Sequence, residues 1–267
     1  MVTRRTAASA LQAYVLHRYD WSETSLIVEL FTRERGRVVV AAKGAKRPYS
    51  QLRPVLLPFQ RLLVQLGRTP ADEASEVHTL RSAEWAGGVP VLAGGALFRG
   101  FYLNELLLKG LARQDAHEPL FDAYAATLPA LAGPESAATG AALRAFELRL
   151  LHDSGWLPAL DLVTLTRATL QADRAYALHP ETGVVEGGAE ALPGAALQAA
   201  QQALQGDDLA ALCRACIAQP GAWRSQLRGL LQYHLGTGLL RTRQVMLEVQ
   251  RLADPRNAGD RRTETAR

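Results

Sequence analysis

The sequence contains few residues whose types and spacing could do chemistry. Cys213 and Cys216 form a Cys-x-x-Cys pair, a spacing that can bind zinc or exchange a disulfide. The pair falls in a segment of helical pattern, and neither a second cysteine pair nor a suitably spaced histidine completes a four-ligand site. Two small core residues are therefore the better interpretation. The carboxylates Asp153, Asp161 and Asp173 match no metal-binding spacing.

The common catalytic motifs are missing from the sequence as well. There is no Gly-x-x-x-x-Gly-Lys phosphate loop, no Gly-x-Gly-x-x-Gly turn and no Gly-x-Ser-x-Gly nucleophile elbow, and the six histidines are isolated from one another. We therefore expect no catalytic residue, no cofactor and no metal, and we expect that the protein is not an enzyme.

Basic residues are concentrated in one segment, although the net charge of the chain is only +4. The segment contains a single acid, Glu34, and eight cations: Arg33, Arg35, Arg37, Lys43, Lys46, Arg47, Arg53 and Arg61. Such a segment is either an ordinary solvated surface or a contact for a polyanion, and charge alone leaves both interpretations open.

Length and composition describe the class of protein that must position these cations. A chain of 267 residues can hold two modest domains. No apolar run approaches the roughly 18 to 20 residues that span a bilayer, so we expect no membrane association. The first ten residues lack the apolar stretch of a secretion signal, and only two cysteines are present, so we expect a cytoplasmic protein.

The first third of the chain has the pattern of a small β-domain. Short runs rich in valine and leucine alternate with turn residues such as Gly36, without a long helical segment to cover a sheet. The predicted strands are residues 12–19, 25–32, 37–42, 56–66 and 76–84. Five strands in about seventy residues indicate a small barrel, and an OB-fold is the simplest choice.

After Gly87 and Gly88 the period of the apolar residues becomes helical. The predicted helices are residues 95–112, 119–131, 137–154, 193–204, 207–218, 223–239 and 241–252. Residues 157–189 interrupt this pattern like an insertion. We therefore predict an α+β protein with a barrel domain at 1–86, a mainly α-helical domain at 87–252 and a disordered tail at 253–267.

Several segments together resemble a known family. In the N-terminal part they are residues 14–16, 21–26, 31–32, 36–37 and 42–45. Further along they are 56–59, 80–84, the YLNEL sequence at 102–106, the LRAFEL sequence at 143–148 and residues 236–243. In this order they resemble the RecO family of bacterial recombination mediators, and they cover most of residues 12–250.

The resemblance implies an N-terminal OB-fold, a helical domain and a zinc-finger-like region between the helices. Many members bind zinc there with four cysteines, but residues 157–189 of this chain contain no cysteine. We therefore expect a degenerate insertion without metal. The resemblance also implies DNA repair by the RecF pathway and association with the nucleoid. It further implies annealing of complementary strands and, with RecR, loading of RecA onto DNA coated by the single-strand-binding protein.

These implications make single- and double-stranded DNA the expected polyanion. Cations in loops can reach phosphates, and an exposed aromatic ring can stack on a base. The predicted DNA contacts are Arg35, Arg37, Lys43, Lys46, Arg47 and Tyr49. For the acidic, apolar C-terminal tail of the single-strand-binding protein, the candidate is Arg144 in the LRAFEL sequence, for which an ordinary surface arginine is an equally good interpretation.

Two other classes of protein fit parts of the pattern. An OB-fold protein that binds structured RNA or acts as an adaptor would have the same composition but would not accelerate strand pairing. A metal-dependent nuclease would cleave DNA in the presence of Mg²⁺ or Mn²⁺.

Overall fold

The computed structural model describes residues 10–67, 76–88, 91–236, 240–242 and 244–245. It comprises a β-barrel, a set of helices packed on one side of that barrel, and a small second sheet. Among the helices of these described residues, none is both long and apolar enough to cross a membrane.

Five strands form the barrel: β1 (Leu11–Asp20), β2 (Leu26–Thr32), β3 (Gly36–Ala42), β4 (Arg61–Leu66) and β5 (Val77–Trp85). Their order is β1-β2-β3-β5-β4, and the antiparallel pairing of β4 with β1 closes the sheet. Only β3 and β5 run parallel. This arrangement confirms the predicted five-stranded OB-fold.

Alternation of side chains along the strands creates the barrel core. Val15, Val28, Val40 and Val64 point into the barrel and are completely buried. On the outer side, Tyr14 of β1 and Phe31 of β2 are buried as well, because the helices cover this part of the two strands. Further along the strands the outer side carries the polar residues His17 and Glu29.

The fourth strand is shorter than predicted. It begins at Arg61 rather than at residue 56. Pro58 lacks the N–H group that a regular ladder needs, and Phe59 has a φ of 67°, which no strand residue adopts. Pro58 makes only an isolated bridge to Val15. Because of these two residues, the strand can begin only after Phe59.

Within residues 91–236 the structure has six helices: α1 (Gly95–Gly110), α2 (Glu118–Ala132), α3 (Ala137–Asp153), α4 (Gly194–Gln205), α5 (Leu209–Ile217) and α6 (Pro220–His234). They agree with the first six predicted helices to within a few residues, except that α6 begins three residues earlier and ends five residues earlier than predicted. The predicted helix at 241–252 lies largely outside the described residues, and the predicted tail at 253–267 lies outside them altogether.

Aromatic side chains join the barrel to the helices. Tyr14 and Phe31 on the outside of the barrel contact Phe121 of α2, with ring centroids 5.3 and 5.4 Å apart. Tyr14 also meets Tyr124 edge-on at 5.0 Å. Because these rings are buried, the barrel wall and the helices form one continuous apolar core.

The insertion is an ordered three-stranded sheet. Its strands are β6 (Ala175–His179), β7 (Gly183–Glu186) and β8 (Leu192–Pro193), in the order β7-β6-β8. Gln226 of α6 attaches this sheet to the helices: its Oε1 accepts from the Leu178 N–H at 2.6 Å, and its Nε2 donates to the carbonyls of Ala189 and Glu190. Apolar packing and amide hydrogen bonds thus hold the sheet.

The cysteine pair lies on α5. Cys216 is completely buried in the helical core, and Cys213 is half-buried against it. Burial raises the pKa of the Cys216 thiol well above its usual value. Both residues contribute to apolar packing, as predicted.

Candidate nucleic-acid interface

The structure divides the basic segment into cations with protein partners and cations without them. Arg33, Arg37, Lys46 and Arg61 contact acidic, amide or carbonyl groups of the protein. Arg35, Lys43, Arg47 and Arg53 are exposed, and no described residue forms an ion pair with their side chains. Only the second group is free to neutralise phosphates without first breaking an internal contact.

Arg37, a predicted DNA contact, lies between the barrel and the helices. Its Nη1 donates to the carbonyls of Leu108 at 2.5 Å and Leu111 at 2.7 Å, at the end of α1. Its Nη2 approaches the buried carboxylate of Glu29 at 3.5 Å. A guanidinium that is 10% exposed and satisfies helix-terminal carbonyls stabilises the domain interface.

Arg35 lies in the turn between β2 and β3, where the barrel meets the helices. The next residue, Gly36, has a φ of +62°, and a Cβ atom on it would fall 1.7 Å from the Asp115 carbonyl oxygen, so only glycine fits. Neighbouring Arg33 forms ion pairs with Glu118 and Asp122 of α2. The turn is therefore fixed against the helical domain, and the Arg35 side chain remains exposed beside it.

The other predicted contacts lie in the loop after β3, at the opposite end of β2 and β3. We call residues 43–50 the β3 loop. Lys43 and Arg47 are exposed, and Tyr49 has 95% of its surface exposed. A nearly free aromatic ring beside two unpaired cations has the groups that bind a base and its phosphates.

Lys46 has a different position in the β3 loop. Its Nζ forms an ion pair with Asp20 at 3.1 Å and donates to the Ser22 carbonyl, and its backbone N–H donates to the Thr24 carbonyl at 2.9 Å. These contacts attach the β3 loop to the hairpin between β1 and β2. Lys46 fixes the loop, and Asp20 already balances part of its charge.

The six predicted DNA contacts thus do not form one cluster. Lys43, Lys46, Arg47 and Tyr49 share the β3 loop. Arg35 and Arg37 lie at the other end of β3, which is seven residues long and therefore separates the two ends by about 20 Å. The sequence showed a continuous basic segment because consecutive strand ends alternate between the two ends of a barrel.

Arg144 lies on α3 in a cluster of ionic groups. Its Nη2 forms an ion pair with Glu147 at 2.6 Å, and the same Glu147 oxygen accepts from the Tyr102 hydroxyl at 2.6 Å. Burial raises the pKa of Glu147, and the nearby cations, including Arg224 and Arg228, oppose this effect. Arg144 is thus oriented by a buried carboxylate.

Arg224 and Arg228 are candidate residues that the sequence reasoning missed. They are exposed and stand one turn apart on α6, and both act on Glu147 electrostatically, as Arg144 does. Their four-residue spacing was visible in the sequence. That they would face Arg144 depends on the packing of α6 against α3, which the sequence did not reveal.

Comparison with known proteins identifies the family. Residues 8–88 match the model of the Recombination protein O N terminal domain, and residues 94–243 match that of its C terminal domain. Proteins named DNA repair protein RecO from Polaromonas sp. and Variovorax paradoxus are each 50% identical to this chain, over 90% of it and 96% of the relative. The one from Acidovorax ebreus is 48% identical over 94% of this chain and its own full length. The chain therefore belongs to the RecO family, with a role in DNA repair and recombination.

Proposed function

We propose that this protein binds single- and double-stranded DNA, anneals complementary strands and, with RecR, helps to load RecA onto DNA coated by the single-strand-binding protein. Membership of the RecO family supports this role. The single observation that carries the DNA-binding part is the β3 loop, where Lys43, Arg47 and Tyr49 are exposed on an OB-fold barrel.

The physical basis of annealing is charge neutralisation. Two complementary strands repel each other, and cations on a protein surface lower that repulsion without any covalent step. The charges of Lys43 and Arg47 face solvent and are not neutralised by the protein, since no described residue forms an ion pair with them. We therefore propose that the protein acts as a mediator that makes and breaks no covalent bond.

Annealing of labelled complementary oligonucleotides at several salt concentrations tests the proposal. Each phosphate neutralised on a single strand contributes about 0.7 to the slope of log affinity against log salt. The double variant Lys43→Ala, Arg47→Ala should lower this slope by about 1.4 and slow annealing. Lys46 is left unchanged because Lys46→Ala would also detach the β3 loop from the turn between β1 and β2. The double variant therefore removes only the proposed phosphate contacts.

The control is the exposed Arg214→Ala on α5, a surface cation far along the chain whose loss should leave the slope unchanged. An unchanged slope in the double variant would remove the β3 loop from the DNA contact. Wild-type protein that binds structured RNA but does not accelerate pairing would favour the adaptor. Cleavage of DNA in Mg²⁺ or Mn²⁺ would favour a nuclease.

We also propose that the cations around Arg144 bind the acidic C-terminal tail of the single-strand-binding protein. The oriented guanidinium of Arg144 and the exposed Arg224 and Arg228 provide three positive groups at the meeting of α3 and α6. Carboxylates form strong charge-assisted hydrogen bonds with such groups. Arg224 and Arg228 supply charge that no described acid pairs with directly.

Fluorescence anisotropy with a labelled tail peptide tests this second proposal. Arg224→Ala and Arg228→Ala should each weaken binding by about tenfold, which corresponds to one charge-assisted hydrogen bond. Arg144→Lys keeps the charge facing Glu147 and avoids leaving that buried carboxylate alone, and we expect it to weaken binding less. Equal affinities in all three variants and in Arg214→Ala would contradict the proposal.

A further inference from the structure

The outer face of the barrel presents aligned rows of residues across β1, β2 and β3. One row consists of Tyr19, Ile27 and Ala41, and the next consists of His17, Glu29 and Val39. Paired residues in neighbouring strands point to the same side of a sheet, so both rows lie on one face. This face lies next to the β3 loop, because Lys43, the first residue of the loop, comes only two residues after Ala41.

The helical domain covers the far part of this face, and in the near rows only the residues of β1 are exposed. Phe31 and Arg37, one row beyond Glu29, are buried against the helices. In the near rows Tyr19 is 48% exposed and His17 is exposed, whereas Val39 and Ala41 of β3 are buried. The exposed area is therefore limited to β1, at the end of the barrel that also carries the β3 loop.

His17 and Tyr19 form one aromatic surface. Their ring centroids are 4.4 Å apart and the rings meet edge to face, at 67°. This geometry holds the tyrosine ring in place while leaving much of its surface accessible to solvent. Such a ring loses little conformational freedom when a base stacks on it.

The charges around this surface favour a polyanion. Lys43 and Arg47 lie in the β3 loop, which hydrogen bonds through Lys46 to the hairpin that follows Tyr19. The one carboxylate in the rows, Glu29, is 4% exposed and its oxygens contact Arg37 and Arg113. Within the rows this acid is thus neutralised, and the exposed Asp20 that follows Tyr19 forms an ion pair with Lys46.

We propose that Tyr19, supported by His17, is a base-stacking site for single-stranded nucleic acid, with Lys43 and Arg47 holding the adjoining phosphates. This inference rests on the proposed function and names the surface that it uses. Stacking on an aromatic ring is independent of base sequence, and it requires an unpaired base. The site therefore favours single strands over duplex, whereas the two cations serve both.

A comparison of two ligands separates stacking from charge: an oligo(dT) and an abasic phosphodiester of the same length. Tyr19→Ala should weaken binding of oligo(dT) by about five- to a hundredfold, the range that corresponds to one stacked base, and leave the abasic ligand unaffected. Tyr19→Phe keeps the ring and should retain the binding of oligo(dT). The salt slope should not change in either variant.

The chain offers a matched control in Tyr233 of α6. This tyrosine is 52% exposed and meets His234 edge-on at 5.2 Å, so Tyr233→Ala removes a similar tyrosine–histidine pair from the helical domain. It should leave the binding of both ligands unchanged. Thermal unfolding checks that all variants are folded.

The outcomes distinguish this inference from the proposed function. If wild-type protein binds and anneals DNA but Tyr19→Ala loses nothing, or loses equally for both ligands, the stacking site is wrong and the proposed function stands. Equal losses in Tyr19→Ala and Tyr233→Ala would also overturn the site. If wild-type protein binds neither ligand, both proposals fail.

Discussion

Asn104 is the residue that connects a local irregularity of the barrel to the helices. The pairing of β1 with β2 shifts between Val15 and His17, so Leu16 is an extra residue in β1. The Asn104 Nδ2 donates to the Leu16 carbonyl at 2.9 Å, and its Oδ1 accepts from the Tyr124 hydroxyl at 2.6 Å. One buried amide thus satisfies a bulge carbonyl and a buried phenol.

Replacing this amide by an apolar side chain of similar size should destabilise the protein. Asn104→Leu leaves the Leu16 carbonyl and the Tyr124 hydroxyl buried without these partners, and we expect a loss of about 2 to 6 kcal/mol, since each unsatisfied group costs about 1 to 3 kcal/mol. Urea unfolding measures this change. Gln205→Leu, an exposed amide on α4, is the control and should stay within about 0.5 kcal/mol of wild type. A loss for Asn104→Leu no larger than that of the control would contradict the assignment.

The functions of single cations could be predicted from the sequence only in part. Lys43, Arg47 and Tyr49 lie in or just after a glycine-containing turn, and the structure places all three on the surface. Arg37 and Lys46 look the same in sequence, but their environments depend on Leu108, Leu111 and Asp20, whose proximity is a product of the fold. Partners distant in sequence decide whether a cation is available.

Elements were easier to predict than single residues, because the period of apolar residues reports which face of a strand or helix is buried. The five strands and the first six helices follow from that period. The insertion was harder to predict, since its short strands depend on contacts with α6 through Gln226.

No group of three or more potential metal ligands occurs among the described residues.

At the level of elements, Glu105 of α1 anchors the segment after α6. Its carboxylate accepts hydrogen bonds from the backbone N–H groups of Arg241 and Thr242 and from the Thr242 hydroxyl. Burial disfavours the charged form of Glu105. The hydrogen bonds from Thr242 and Arg241, together with Lys109, outweigh burial and lower the pKa of Glu105.

A lowered pKa in the folded state gives this contact a defined pH dependence. The contact stabilises the protein fully above the pKa that Glu105 has in the unfolded chain. This stabilisation is lost as the pH falls towards the lower pKa that Glu105 has in the folded protein. Glu105→Gln should therefore be less stable than wild type at pH 7, by about 1 kcal/mol, and the difference should shrink as the pH falls below about 4.5. Urea unfolding over a pH series measures it. Glu135→Gln, an exposed position, is the control, and a difference that does not depend on pH would contradict the anchoring role of the charge.

At the scale of the whole molecule, the helical domain completes the hydrogen bonding along the edge of β3 where its pairing with β5 ends. β3 pairs with β5 only through residues 39–41. Before that point the loop between α1 and α2 lies against the edge of β3, where the Gln114 N–H donates to the Arg37 carbonyl at 2.8 Å. Arg113 from the same loop bridges Glu29 of β2 and Glu76 at the start of β5. We therefore expect barrel and helices to unfold as one unit.

This arrangement predicts that stability and DNA binding depend on different cations of the same basic segment. Arg37→Met leaves the helix-terminal carbonyls of Leu108 and Leu111 without their donor and weakens the pairing of Glu29, so it should cost about 3 kcal/mol of unfolding free energy. At temperatures where the variant remains folded, its salt slope for DNA binding should equal that of wild type. The double variant Lys43→Ala, Arg47→Ala should do the reverse, with a lower slope and a stability within about 0.5 kcal/mol of wild type. A reduced slope in folded Arg37→Met would mean that this arginine leaves the interface to bind phosphate, and the separation of the two roles would be wrong.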